Sequence, residues 1–330
     1  MRLLLIGNPS LTHVARHFCE AARERSIVTE IMDSDAAYRA PKWIRRIFWH
    51  LLGHRPAHLN AFGRQILATA RLFKPDILLS TGVSPIPAPT LQTLRKMGVK
   101  LANFSTDDPW SPGQFASWFM GALPSYDHVF TPRQANFEPL KSLNGPRIHL
   151  LPFAYAPDLH FPAHEVESPE TTDVLFYGNV DPDRSPQLEA LVSSGLRLTL
   201  YAASRLTPLL YPSFQGYADP ATMRRAVAQS PVSLVIGRKS NRDTHAMRSY
   251  EVPAMRGCIL AEDSLDHRRL YGDAAHYFND IPSLIQNAKN LIQSTPFTRH
   301  TLRDAVLKKI VSEPNTYGDR LDTILRRCCD

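Results

Sequence analysis

The stretch from Ile236 to Glu262, IGRKSNRDTHAMRSYEVPAMRGCILAE, gathers the residue types that handle a phosphorylated ligand. Its apolar run ends at Gly237 and opens into a polar loop, and the carboxyl ends of parallel strands are where open sheets bind ligands. Arg238 and Arg248 can supply charge-assisted hydrogen bonds to a diphosphate. Glu251, an acceptor-only carboxylate, suits the vicinal hydroxyls of a ribose. Because Pro253 lacks an N–H and belongs in a first helical turn, the spacing predicts a helix that begins near Ser249, is capped by that serine and stops at Gly257. Glu251 then sits in its first turn, where free amides and the dipole attract an anion. His245 reads equally as a phosphate or sugar contact and as a helix-entry residue. Taken singly each residue has a structural explanation, since the dipole alone favours Glu251 and a neighbouring Arg can be its surface partner. Together in one polar loop they favour binding.

Two other stretches carry related chemistry. Tyr177-Gly178-Asn179 closes an apolar run and Arg184 follows; Gly178 would let the backbone approach a phosphate that Arg184 neutralises, although an ordinary turn also explains the glycine. In Asn103 to Trp110, NFSTDDPW, the adjacent Asp107 and Asp108 point in different directions in extended backbone. One can face a ligand, and take a proton from a hydroxyl, while the other holds the loop. Asp-Asp-Pro is equally a routine turn, and the pair also reads as acceptor-orienting or as metal ligands.

These residues must be positioned by a framework of alternating strands and helices. Strand-like runs at Leu3 to Gly7, Ile27 to Met32, Asp76 to Ser80, Val99 to Phe104, Asp127 to Thr131 and Arg147 to Leu151 are separated by helix-like segments such as Leu11 to Arg25, Pro89 to Met97 and Gln134 to Lys141. The pattern predicts a parallel sheet with helices on both faces. It restarts at Asp173 to Gly178, Leu196 to Tyr201, Val232 to Gly237 and Cys258 to Ala261. The expectation is an α/β chain of two Rossmann-like domains facing across a cleft, the GT-B architecture: 1–153 binding an acceptor, a Pro-rich linker at 154–172, and 173–330 binding a donor. Its last helix, about Tyr317 to Arg327, would pack back on the first domain.

Asp243, seven intervening residues and Glu251, followed by a small-residue helix and the strand Cys258 to Ala261, resemble the acidic pair of group 1-type GT-B glycosyltransferases. More closely, RSYEVPAMRGCILAE is similar to the C-terminal signature of CgeB-like glycosyltransferases, and FKPDILLSTG followed by NFSTDDPW resembles the same group. The resemblance implies a nucleotide-sugar donor whose ribose meets Glu251, with Asp243 near the transferred sugar, where the wider family more often has Glu. It implies that Arg184 helps hold the diphosphate, that closure of the domains excludes water, and that neither metal nor cofactor beyond the co-substrate is needed. The acceptor would be a hydroxyl-bearing glycan, lipid or small molecule. A non-catalytic nucleotide- or glycan-binding protein acting as an assembly partner is the alternative.

With 43% hydrophobic and 21% charged residues over 330 positions, wholesale disorder is excluded. Cys19, Cys258, Cys328 and Cys329 show no zinc or dithiol spacing and read as cytosolic thiols. The apolar opening is too short for a signal-peptide core and no stretch matches a membrane span, so a cytoplasmic protein, at most at the inner membrane surface, is expected. The net charge of +7 raises nucleic acid as a partner, but no recognised motif supports it. The charge is uneven. No acid lies between Asp35 and Asp76, while Arg39, Lys42, Arg45, Arg46, Arg55 and Arg64 interleave with Trp43, Ile44, Ile47, Phe48, Trp49, Leu51 and Leu52. Segment 39–64 is suited to anionic lipid headgroups or a phosphorylated acceptor, or it is a helix packing its aromatic face on the first domain with its basic side solvated.

Overall fold

Leu3 to Ile6 is apolar at every position, as a strand covered on both faces requires, and in the computed structural model all four side chains are fully buried. Each such burial contributes on the order of 1.5–3 kcal/mol. The structure describes residues 1–163, 172–201 and 206–330. It divides into two units, Met1–Pro152 together with Tyr317–Asp330, and Phe153–Thr316.

The first unit runs β1 (Arg2–Gly7), α1 (Val14–Glu24), β2 (Val28–Asp33), α2 (Lys42–Leu51), α3 (Leu59–Phe73), β3 (Ile77–Thr81), α4 (Ala88–Lys96), β4 (Lys100–Phe104), α5 (Ser117–Ala122), β5 (His128–Thr131), α6 (Gln134–Lys141) and β6 (Arg147–Leu150). Its six strands are parallel in the order β2-β1-β3-β4-β5-β6. The central strands are buried, and the edge strands β2 and β6 are half-exposed, as one-sided pairing allows.

The second unit contains β7 (Val174–Tyr177), α7 (Ser185–Ser193), β8 (Leu198–Tyr201), α8 (Pro220–Ala228), β9 (Val232–Val235), α9 (Arg248–Ala254), β10 (Ile259–Glu262), α10 (Leu265–Tyr271), β11 (His276–Phe278), α11 (Ile281–Gln293) and α12 (Pro296–Ser312). Its sheet is parallel too, in the order β11-β10-β9-β7-β8. The chain then rejoins the first unit as α13 (Tyr317–Cys329). There Tyr317 stacks on His17 at 4.8 Å between centroids and meets Phe18 edge-on at 5.4 Å, and Arg25 grips Asp322 through two bonds of 2.6 and 2.8 Å.

Three sequence expectations change. Residues 153–163, expected at the end of the first domain and in a linker, belong to the second unit, where Ala156 and His160 are buried; residues 164–171 lie outside the described set. Ser249 does not cap α9, which begins at Arg248; its hydroxyl instead accepts the Ala246 N–H at 2.9 Å. Pro253 lies beyond the first turn, where a proline ordinarily costs about 3 kcal/mol because the carbonyl four residues earlier loses its donor. Here that carbonyl, Ser249 O, accepts the Tyr271 hydroxyl at 2.8 Å, and complete burial pushes the Tyr271 phenol well above its ordinary pKa so that it stays a donor. Finally, α2 does not pack an aromatic face on the first unit: none of its residues is buried.

Candidate functional site in the second unit

In the order β8-β7-β9 the chain leaves the sheet in opposite directions after β7 and after β9, so the loops at their carboxyl ends diverge and leave a crevice between them. Gly178 ends β7 with φ 140°, a backbone conformation that side-chain-bearing residues rarely adopt. A Cβ there would stand 3.4 Å from Arg248 Nε, so this glycine lies directly against a guanidinium.

Three arginines gather at this point. Arg184 is buried; its Nη1 donates to Asn179 O at 3.0 Å and its Nε to Gly237 O at 3.4 Å, tying the two loops together. Its pKa falls to about 10, first through burial and further through the like charges of Arg238 and Arg248, against the opposing pull of Asp181. Arg238 donates to Asp181 at 2.8 Å, and Arg184 lies 3.7 Å from the same carboxylate. Asp243 accepts the Arg238 backbone N–H at 3.0 Å, so it shapes the loop that carries Arg238. Arg248 lies 5.0 Å over the Tyr177 ring, its Nε buried without a hydrogen-bond partner, and no acid among the described residues pairs with it. Asp181 and Asp183 are the acids that face Arg184 and Arg238, which leaves Arg248 as the cation with no acidic partner among the described residues. Other arginines of this unit are used differently: Arg299 donates to Leu291 O and Ile292 O at the end of α11, and Arg303 to Ser230 O.

Beside the arginines, Glu251 is buried and its Oε2 accepts the Tyr177 hydroxyl at 2.5 Å. His160 Nδ1 accepts the Ala156 N–H at 3.0 Å, which puts any ring proton of the neutral imidazole on Nε2, 4.0 Å from Glu251 Oε1. Burial lowers the His160 pKa more than Glu251 raises it. A carboxylate held this way keeps a fixed orientation for hydroxyl donors.

A second layer fixes the entry to α9. His245 Nδ1 donates to Asp266 at 2.8 Å and Thr244 donates to the same oxygen, drawing the Asp266 pKa down to about 2, with the His245 bond the largest cause. The other ring nitrogen, His245 Nε2, is buried and has no partner among the described residues. His267 Nδ1 donates to Glu262 O at 2.6 Å, so its Nε2 accepts from Ser249 Oγ at 2.8 Å. The amides expected to be free for an anion are not: Ser249 N–H goes to Ala246 O at 3.0 Å, Tyr250 N–H to Met247 O at 2.9 Å and Glu251 N–H to Met247 O at 3.0 Å. The capacity for phosphate therefore rests on guanidinium groups.

Of the residues singled out from sequence, Gly178, Asn179, Arg184, Arg238, Asp243, Arg248 and Glu251 share this region, with His245 joined to it through Tyr250, whose ring meets the imidazole edge-on at 5.8 Å. Asp107 and Asp108 lie in the first unit, after β4. Asp108 is buried and its Oδ1 accepts the Trp110 N–H at 3.0 Å, the local bond of a turn-holding aspartate. Asp107 is half-exposed and accepts the Thr106 hydroxyl at 3.1 Å. Sequence reasoning passed over His160, Asp181 and Asp266. His160 sat in a stretch read as linker, and Asp181 carried a signal only in its three-residue spacing from Arg184. Among the described residues no group of three or more His, Cys, Asp or Glu could hold a metal ion.

With the geometry in hand, residues 184–326 match the model of a family described as glycosyl transferase-like. No curated protein matches the sequence. Among solved structures, the chain is similar to sucrose-phosphate synthase from Thermosynechococcus elongatus, with 11% identity, TM-score 0.70, and 99% of this chain and 98% of that chain covered. It is similar to a UDP-forming trehalose-phosphate synthase from Burkholderia vietnamiensis, with 11% identity, TM-score 0.66 and 99% of each chain covered. A DNA-modifying β-glucosyltransferase is covered over its whole length at 15% identity and TM-score 0.61. The fold is GT-B, and the family match covers most of the second unit and runs on into α13.

Proposed function

We propose that the chain transfers a sugar from a nucleotide diphosphate sugar to a hydroxyl-bearing acceptor, and that it is of the CgeB-like type that RSYEVPAMRGCILAE resembles. The observation that carries this reading is Arg248: a guanidinium with a buried, unpartnered Nε, no acidic partner among the described residues, and two further arginines near it where β7 and β9 end. Such a group suits the diphosphate of a donor, and the UDP named for the trehalose-phosphate synthase is the kind of leaving group concerned. Glu251, oriented by Tyr177, takes the ribose hydroxyls. His245, with Nδ1 committed to Asp266, offers Nε2 as an acceptor to a sugar hydroxyl.

In the reaction the acceptor oxygen bonds to the anomeric carbon as the bond from that carbon to the diphosphate breaks. Arg184, Arg238 and Arg248 stabilise the charge that develops on the leaving oxygen, the role a metal ion has in other transferases. The transfer is therefore metal-independent in this reading. Asp243, engaged with the Arg238 amide, positions the loop. Asp107 takes the acceptor proton if configuration inverts; if it is retained, donor phosphate does so. Asp108 holds its turn.

The engagement of Asp108 and Asp243 in backbone bonds favours a second reading, a protein that binds a nucleotide or glycan without turnover. A thermal-shift screen over UDP-, GDP-, TDP- and CDP-sugars, followed by product analysis with the hit, separates the two. No shift with any donor would sink both. A shift without transfer to any tested acceptor and without slow donor hydrolysis leaves the binding reading alone.

A further inference from the structure

The ten residues of α2 form two neighbouring stripes, each spaced by four positions. Trp43, Ile47 and Leu51 make an apolar stripe, exposed at 66%, 42% and 76%, and Lys42, Arg46 and His50 make a polar one beside it. Ile44 and Phe48, on the far flank of the apolar side, are half-buried. The helix is thus held along one edge while Trp43, Ile47 and Leu51 stand in solvent, an arrangement that favours a covering surface by roughly 25 cal/mol for each Å² removed from water.

Charge identifies what covers it. No acid occurs from residue 36 to residue 75, and Lys42, Arg45, Arg46 and Arg64 have no ion pair among the described residues. A groove of ≈ 430 Å³ lies against the helix, lined by Tyr38, Lys42, Arg45, Arg46, Trp49 and Arg55, so four cations and two aromatic rings surround one recess. A duplex or single-stranded nucleic acid would satisfy the cations but leave Ile47 and Leu51 in water. A second copy of the same helix would bring like charge against like charge. Only a surface that is anionic at its face and apolar a few ångströms below satisfies both stripes at once. Ten helical residues span about 15 Å, half a hydrocarbon core, so the helix lies in the interface plane.

We propose that α2 is an interfacial anchor that docks the first unit on an anionic lipid bilayer, with Trp43, Ile47 and Leu51 inserted below the headgroups and Lys42, Arg45, Arg46 and Arg55 on lipid phosphates. This goes beyond sugar transfer and does not depend on it. Each basic residue near such a surface contributes on the order of 1 kcal/mol, and the inserted stripe adds to it.

The test is co-sedimentation of the full chain with vesicles of phosphatidylcholine alone and of phosphatidylcholine doped with phosphatidylglycerol, with tryptophan emission as second readout. The chain is expected on the anionic vesicles at least about tenfold more tightly than on neutral ones, less so as salt rises, with a blue shift that Trp43→Phe diminishes. Arg45→Glu/Arg46→Glu abolishes the charge preference, and Ile47→Ser/Leu51→Ser weakens binding at every salt concentration. Both pairs lie on the surface, and unchanged melting temperatures establish that the variants fold. Absence of wild-type binding to either vesicle overturns the proposal, as does binding that survives both variants. Tight binding to generic DNA indifferent to Ile47→Ser/Leu51→Ser, or a dimer that this variant disperses without any vesicle binding, would assign the surface to another partner.

Discussion

The two units repeat one scaffold and use it for different chemistry. In the first, β1 and β3 leave the sheet at its switch point much as β7 and β9 do in the second. Around the first switch point the polar groups serve the protein itself. Asn8 donates to Asp35 at 2.9 Å and accepts from Ser10 N–H at 2.8 Å, Arg39 pairs with Asp33, and the place a Cβ would take on Gly7 is filled by Thr81 and Ala15. Around the second, Gly178 faces Arg248 and Arg248 faces no acid among the described residues. Strand order supplies a crevice in both cases; an arginine without an acidic partner among the described residues appears in the second. A switch point is therefore a place where a ligand can bind, and the side chains of two loops decide whether one does.

The sharpest way to test this division is to remove one group on each side. Asp107→Asn should lower kcat by at least about a hundredfold on the inverting route, with the donor's thermal shift intact. A loss within about tenfold would indicate retention, with donor phosphate as the base. Arg248→Ala should lower kcat/KM by about a hundredfold, some 2.7 kcal/mol, and reduce the donor's thermal shift, while Asn8→Ala leaves both within about threefold. Equal effects of the last two would break the comparison.

The two glycines give a subtler contrast. Gly7→Ala meets packed atoms and should cost about 1–3 kcal/mol of stability, read from denaturant unfolding, without changing donor affinity. Gly178→Ala should cost a similar amount through its φ and in addition weaken the donor, because the new methyl stands beside Arg248.

Acidity probes the layer behind the arginines. Burial, the largest cause, lowers the His267 pKa to about 4 from an ordinary 6.5. A histidine depressed in the folded state binds its proton more readily when unfolded, so its contribution is complete above pH 6.5 and is lost as pH falls from there toward 4. The slope is about 1.4 kcal/mol per pH unit for that group. Denaturant unfolding at pH 7 and pH 5 should show the fall, and His267→Gln should flatten it. Asp266, with its pKa near 2, contributes stability present above 3.8 and lost between 3.8 and 2. The smallest expected effect is that of EDTA, which should leave the transfer rate unchanged.

Much of the fold was legible because buried parallel strands are written as unbroken apolar runs and their helices as local periodicity. Gln134 to Lys141 was read to the residue and the ends of β1 to β10 to within two, while the short edge strand β11 was not read. Arg184 and Arg238 were legible because each stands in the loop after an apolar run, and Arg248 because it stands at the start of the helix that follows such a loop. The start of α9 was read to within a residue, but its cap and the place of Pro253 were misread because a proline was placed by its missing donor alone. What rescues Pro253 is a hydroxyl from Tyr271, 22 residues beyond the carbonyl it satisfies, and no window on the sequence contains that bond.

The alternation of elements, its restart at Asp173 and the loops in which charged residues stand are all local properties of the chain, since they follow from hydrophobic period and backbone chemistry over a few neighbouring residues. Which of those charges are paired follows from the folded arrangement. Asp181 neutralises Arg238 across 57 positions and Tyr177 holds Glu251 across 74, whereas Arg248 is brought to a glycine and an aromatic ring. The fold also leaves the apolar stripe Trp43, Ile47 and Leu51 of α2 outside the core. Pair energies depend on distances in space and on burial, and those are properties of the folded chain.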